Sequence, residues 1–366
     1  MKQATPQRNQ RSDKARPATG RTSTRKKSRI RRPSGTAAAP RSIRWLLVSS
    51  FVCGFLGLAL LLLVAAPQLQ ALHAWLAMAA SFAPYGALLW LLSVVLALAG
   101  ARGRTRLVAA PLALGLALHL GVLRAYLPAA QAPRVPGSTS VSVLALNLRF
   151  GLADLDQLRD DAERHHPDVV VLSEVTRADA KVFRRAGWTR LLPYQAGTAG
   201  TDYDTATGTG DARGTLILSR YPLSQRDDAP DTRFTDFSVR VAVPDAPFTL
   251  LAAHPANPVH GLDAWLDDAN AVTALALRHQ DGPLVVAGDL NATAEHLTLR
   301  ELSAKAGLRS MTGGWQPTFP ADAWYPPLIQ IDHVLASGQF TSTGSRTIRV
   351  AGTDHLGLLV DLALAP

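Results

Sequence analysis

VVAGDLNAT, residues 285–293, joins a run of small and β-branched apolar residues to a carboxylate and an amide two positions apart. The apolar half predicts a buried strand. Gly288 lets the backbone turn with no side chain in the way. Side chains alternate along an extended chain, so Asp289 and Asn291 face one side beyond the strand end. Read alone, Asp289 also suits an Asx-type turn. A buried strand that ends on two polar groups facing one way predicts the lip of a site.

The same grammar recurs around it. Apolar or alternating runs at 141–146, 168–173, 215–219, 237–243, 248–253, 283–288, 331–336 and 357–364 predict strands. Several are apolar throughout, which predicts burial on both faces. FSVRVAV, 237–243, alternates and predicts a half-exposed strand, paired as a hairpin with 248–253 through PDAP. Helices are predicted over 152–166, 176–186, 261–279 and 294–306. In the first, Leu152, Leu155, Leu158 and Ala162 form an apolar stripe. Residues 196–214 hold few large apolar side chains and read as a mobile loop. The interleaving predicts an α/β protein with a mixed, two-sheet sandwich.

Polar residues stand at the strand ends: Asn147, Glu174, His254, Asp289 with Asn291, Asp332, and Asp354 with His355. Strands that pack side by side bring such ends together, and α/β proteins build sites there. Acids and amides suit a hard cation, and two imidazoles add proton-transfer capacity. Each has a plainer reading. Glu174 could favour the dipole of the helix at 176–186, and Asn147, His254 and Asp354–His355 could serve turns. Tyr221–Pro222 of SRYP could simply turn the chain, although Arg220 could also approach a substrate. His333 is adjacent to Asp332 and so points to the opposite face, into packing. His165, His166 and His260 have no evident partner and read as surface residues.

Working outward, the N-terminal third is a different object. Residues 1–44 carry 14 Lys/Arg and one acid, Asp13; residues 45–137 add five Arg and no acid. The other 19 Lys/Arg and 27 acids lie in 138–366, so that part carries about −8 although the whole chain is +10. One cysteine, Cys53, excludes an internal disulfide framework. Residues 45–66 hold no charge and would reach about 33 Å as a helix, enough for a hydrocarbon core. Further apolar stretches run over 71–99, where Pro84 kinks or breaks the helix, and over 107–127. Three transmembrane helices are predicted within 42–127. The basic tail 1–41 has almost no large apolar residue and is predicted to be disordered. It reads as a topology signal, with anionic lipid or nucleic acid as alternative partners. PQLQ (67–70) is uncharged and ARGRTR (101–106) has three Arg, so the N-terminus is expected in the cytoplasm and residues after 128 outside. A Pro/Ala-rich linker, 128–139, then leads to a soluble domain at 140–366, held on a membrane stalk.

VLSE, SRYP, HP, GDLN, IDHV and TDHLG, in this order, resemble the endonuclease/exonuclease/phosphatase family across about 140–366. GDLN followed by TDH is the specific pair. The resemblance implies a deoxyribonuclease-like sandwich and a divalent-metal-dependent phosphoesterase. It implies that Glu174 ligates the cation, most readily Mg²⁺ with Mn²⁺ or Ca²⁺ as substitutes, and that Asn147 and Asp354 complete its surroundings. Asp289 would orient or deprotonate the attacking water, and Asn291 would hold a phosphate oxygen. His254 and His355 would stabilise the charged phosphorane, with Asp332 keeping His355 oriented and cationic. An additional family acid or Tyr between Glu174 and His254 has only candidates here, Tyr203, Asp204 and Asp211. The implied substrate is a phosphate ester: nucleic acid, lipid headgroup or a small ester. No long basic insertion that could grip duplex DNA is present, and a domain near −8 is a poor non-specific nucleic-acid binder. The membrane is a partner, and no obligate protein partner is inferred. The alternative is a catalytically inert, membrane-tethered binding module that reuses the fold.

Overall fold

Apolar residues on both faces of a strand demand a cover on both sides, and the chain supplies it in four layers. A computed structural model describes residues 41–126 and 137–365, apart from 203, 205, 208, 209 and 212. The tail before Arg41, linker residues 128–136 and the candidate Tyr203 lie outside the described residues.

Helices α1 (Arg41–Ala65), α2 (Ala74–Ala80), α3 (Gly86–Gly100) and α4 (Ala109–Leu123) come first. Then follow β1 (Thr139–Asn147), α5 (Leu155–His165), β2 (Val169–Val175), α6 (Arg177–Phe183), α7 (Ala186–Leu191), β3 (Tyr194–Thr198), β4 (Gly214–Ser219) and β5 (Leu223–Asp228). The chain continues with β6 (Phe237–Val241), β7 (Phe248–Ala252), α8 (Leu262–Arg278), β8 (Leu284–Asp289), α9 (Leu297–Lys305), β9 (Arg309–Ser310), β10 (Asp332–Ala336), β11 (Phe340–Arg349) and β12 (Leu356–Leu364).

Two six-stranded sheets form, with orders β11-β12-β1-β2-β4-β3 and β5-β6-β7-β8-β10-β9. Val143, Val171, Ile217 and Val360 of the first meet Phe237, Leu250, Val285 and Val334 of the second in the central core. The intervening residues point outward. Leu144, Leu146 and Leu172 are covered by Leu158 of α5 and Phe183 of α6. Leu251 and Val286 are covered by Val272 and Leu275 of α8 and Leu302 of α9. Each fully buried Val, Leu or Phe contributes about 1.5–3 kcal/mol relative to exposure.

The β6–β7 hairpin forms as predicted, but β6 is buried except at Arg240. Its polar alternate, Ser238, is covered by the end of α8, where the hydroxyl lies 3.0 Å from His279 Nε2. Leu152 is 40 % exposed, because α5 begins only at Leu155, capped by the Asp154 carboxylate. The predicted loop 196–214 begins instead as strand β3, an edge strand paired with β4.

Three helices are long and apolar enough to cross a membrane: Ile43–Ala65, Ala83–Gly100 and Arg106–Leu123. The predicted stretch 71–99 divides at Pro84, where a 3₁₀ turn, Ala83–Tyr85, separates α2 from α3. Ser50 and Ser93 exchange hydroxyl-to-carbonyl bonds of 2.7 Å between α1 and α3. Outward, Phe51 and Phe55 are 58 % and 70 % exposed. The sandwich packs directly on this helical region rather than hanging from it on a stalk. Gln70, Ala77, Tyr85 and Tyr126 all bond to it, so the connection between α1 and α3 and the end of α4 lie on the sandwich side of the helices.

Candidate active site

Parallel pairing of β1 with β2 and of β7 with β8 brings their C-terminal ends to one edge of the sandwich. Antiparallel β10 and β12 start at that same edge, with Asp332 directly opposite Asp289. Asn147, Glu174, His254, Asp289, Asn291, Asp354 and His355 line one cavity of about 410 Å³, and Asp332 stands just behind His355. Gly288 makes the closure possible. Its φ is +142°, and a Cβ there would lie 2.1 Å from the Ala253 carbonyl oxygen. The GDLN turn therefore needs glycine both for conformation and for close approach of β7.

Glu174 reaches the cavity through a bulge. The β2–β4 register shifts between Ser173 and Val175, and Glu174 takes φ 58°. A bulge re-aims one side chain without ending the strand. One Glu174 oxygen accepts from Asn147 Nδ2 at 3.1 Å, and the other accepts from the Phe150 N–H at 2.7 Å. The Asn147 amide also donates to Asp289 Oδ2 at 3.0 Å, while its Oδ1 accepts from the Arg149 N–H at 2.8 Å. Asn147 thus holds two carboxylates together through its nitrogen. Burial raises Glu174 above the ordinary carboxylate range, against the pull of those two donors.

The other corner is a side-chain relay. His355 Nδ1 lies 2.9 Å from Asp332 Oδ2, and its Nε2 lies 3.8 Å from Asp289 Oδ2. Burial alone would depress His355. The carboxylates of Asp332, Asp289 and Asp354 outweigh it and hold the imidazole up to about 10. Burial raises Asp289, opposed by His355 and His254. His254 Nε2 stands 3.7 Å from Asp289 Oδ2 and 3.9 Å from Glu174 Oε1. Its ring packs on Phe234 with centroids 4.1 Å apart. Burial drives His254 down to about 4, so it is neutral at neutral pH, able to donate or accept a hydrogen bond. Asn291 donates to the Pro255 carbonyl at 2.9 Å, and its N–H donates to Asp289 Oδ1 at 2.9 Å.

Arg220 does not join the site. It follows β4, whose end pairs with the start of β2, and its N–H bonds to the Asp168 carbonyl. That is the far end of the sheet, roughly 17 Å along a strand from Glu174. His333 faces away from the cavity, as predicted, with Nε2 2.8 Å from the Ala292 carbonyl oxygen. His260 is exposed, as expected of a surface residue, and it also lines the cavity, 5.7 Å from the Phe234 ring. Sequence reasoning also missed Arg149. It follows Asn147 by two residues at φ 49°, and its guanidinium bonds to Asp322 at 2.6 Å and approaches Asp354 at 3.6 Å. A cation placed just past a strand end that carries Asn147 was the available signal. Asp236 was missed as well. It closes the β6 side by accepting the His254 N–H, and burial raises it to about 7.

The donor chemistry fits a hard divalent cation. Glu174 and Asp289 are buried carboxylates bridged by one neutral amide, with Asp354 at the same cavity. His355 is committed to Asp332, so buried negative charge is left in excess on the Glu174 side. Asp289, Asp332 and His355 also lie close enough together to hold an ion. The 2.9 Å bond between His355 and Asp332, however, already uses one donor atom of each.

Residues 144–355 match the profile of the Endonuclease/Exonuclease/phosphatase family. The chain belongs to this family, whose members are hydrolases acting on phosphate esters. Among curated proteins none matches it. It is similar to a solved endonuclease/exonuclease/phosphatase family protein from Bacteroides thetaiotaomicron, with 15 % identity over 63 % of this chain and 99 % of that one, at a TM-score of 0.48. A family member from Beutenbergia cavernae shares 20 % identity over 62 % and 72 % of the two chains, at 0.47. A mannosyl-6-phosphatase of Bacteroides thetaiotaomicron shares 15 % over 61 % and 99 %, at 0.46.

Proposed function

We propose that the chain is a membrane-anchored, Mg²⁺-dependent phosphoesterase that hydrolyses phosphodiester or phosphomonoester bonds with water. The observation that carries this reading is the Asp289 carboxylate, set between a cationic His355 and a neutral His254 beside Glu174. Asp289 orients the attacking water and takes its proton. His355, fixed by Asp332, holds its proton on Nε2 and donates to the oxygen that gains charge. His254 and Asn291 bind phosphoryl oxygens through neutral donors. Glu174 with Asp354 would hold the cation, and Asn147 keeps Glu174 and Asp289 at one spacing. The chemistry that a bound cation supplies is stabilisation of charge on the phosphoryl oxygens.

The three apolar helices anchor the domain, in the organisation 1–41 tail, 42–127 spans, 128–139 linker and 140–366 catalytic domain. The N-terminus is cytoplasmic and the catalytic domain faces outward. The Arg-rich 101–106 connection supports this, since it joins α3 to α4 at the end away from the sandwich.

The test is hydrolysis of bis(p-nitrophenyl) phosphate by the purified full chain, with Mg²⁺ and with chelator, alongside Asp289→Asn. Metal-dependent turnover lost in the variant is expected. Turnover that survives both would sink the reading.

A further inference from the structure

The sandwich does not build the cavity alone. Met78, Ser81 and Phe82, from the connection between the first two apolar helices, form part of its wall. That connection is fastened to the catalytic loop. Buried Gln70 donates to the carbonyls of Leu63 at 3.0 Å and Glu295 at 2.9 Å, and it accepts from the Leu297 N–H at 2.9 Å. His296 Nε2 lies 2.9 Å from the Ala77 carbonyl oxygen, and Arg300 donates to that of Val64 at 2.6 Å. These partners follow closely on Asp289 and Asn291. At the other end of the connection, the Tyr85 hydroxyl donates to the Leu328 carbonyl at 2.7 Å, beside cavity residue Ile329.

The position of this wall has a consequence. One helix of membrane-crossing length ends at Ala65 and the next begins at Ala83. Met78 to Phe82 therefore stand within about two helical turns of the bilayer surface, with the phosphate-directed groups beside them. Trp75, Met78 and Phe82 recur at the spacing of one helical face. Trp75 is 70 % and Phe82 45 % exposed, and on the sandwich side Phe150 is 42 % and Val259 74 % exposed. An apolar path thus runs from the membrane spans to the carboxylates and histidines. A free sugar phosphate or a duplex polyanion has nothing to place on it. A hydrocarbon chain that carries a phosphate does.

We propose that the connection between the first two spans is a substrate-binding wall, and that the site takes a phosphate ester borne on a hydrocarbon chain and delivered from the bilayer. Met78 and Phe82 contact the chain while Asp289, His254 and His355 face the phosphate. The inference rests on the phosphoesterase reading of the cavity.

The test uses the full chain in mixed micelles with two esters of one headgroup, hexadecyl p-nitrophenyl phosphate and ethyl p-nitrophenyl phosphate. The long-to-short ratio of kcat/KM is expected to exceed 100-fold and to fall about tenfold in Met78→Ser/Phe82→Ser, as a few methylenes lose their contact. Phe82→Leu keeps an apolar contact and is expected to retain the ratio. Equal ratios in wild type and double variant overturn the inference and leave the phosphoesterase reading standing. If neither ester turns over, that reading fails instead, and crosslinking decides the inference. A hexadecyl phosphonate with a diazirine near the phosphorus then labels residues 75–82 if the inference holds. Labels confined to the outward faces of α1 and α4 overturn it.

Discussion

The two corners of the cavity solve the same electrostatic problem in different ways. At the β8–β10–β12 corner, Asp289 and Asp332 are answered by one histidine, bonded to Asp332 at 2.9 Å and 3.8 Å from Asp289. At the β1–β2 corner, Glu174 accepts hydrogen bonds from an amide and a backbone N–H, with a neutral His254 3.9 Å away. Hydrogen bonds orient a carboxylate but do not cancel its charge, so negative charge at the second corner is less fully compensated than at the first. The function proposed above places proton transfer at one corner and the cation at the other.

The strongest way to break that division is Glu174→Gln. We expect a loss of about 10³-fold in kcat/KM, together with loss of Mg²⁺ binding in calorimetry. Retained Mg²⁺ affinity would move the metal to the other corner. Asp332→Asn is the matching change across the cavity. We expect about 10²-fold lower turnover, since His355 loses its orientation and charge, with Mg²⁺ affinity near wild type. A parallel fall in affinity would merge the two corners into one site.

Gly288→Ala tests what joins them. The new Cβ clashes with the Ala253 carbonyl, so a destabilisation of about 1–3 kcal/mol or more is expected in chemical denaturation. A neutral result would mean that β7 can yield.

The last prediction is the smallest and concerns pH. His355 sits at about 10 in the folded chain, against roughly 6.5 when unfolded. The folded state therefore holds the extra proton between these values. The stability it contributes is complete below about pH 6.5 and is lost as pH rises toward 10. Thermal midpoints of the full chain should decline across that window, and His355→Asn should lack this decline. Asp236 works in a lower window. Raised to about 7, it contributes stability at low pH that is lost between roughly 4 and 7. An unchanged alkaline slope in His355→Asn would remove the relay from the first corner.

Much of this division was legible in the chain. The eight strands predicted are the ones that occupy sheet interiors, because burial on both faces writes itself as continuous Val, Leu and Ala. The strands missed, β3, β5, β9 and β11, lie at edges or are short, and half-exposed Thr, Ser and Asp carry no such pattern. Asp289, Asp332 and His355 could be named because each adjoins an apolar strand and stands in one of the fragments GDLN, IDHV and TDHLG. Arg220 adjoins a strand too, yet it left the site because β4 runs antiparallel to β2. Strand direction is a property of the sheet and not of the segment.

By itself, then, the sequence determined the layers, the three apolar helices and the residues of the relay, since periodicity and strand-end position are local. Only the tertiary structure decided which way each donor points. Asn147 turned its nitrogen to the carboxylates, burial left His254 neutral, and Arg149 entered the cavity. It alone also brought Met78 and Phe82, more than 200 positions before Asp289, to the wall of the same cavity. Side-chain contacts between distant segments depend on how helices and sheets pack, and no local pattern records that.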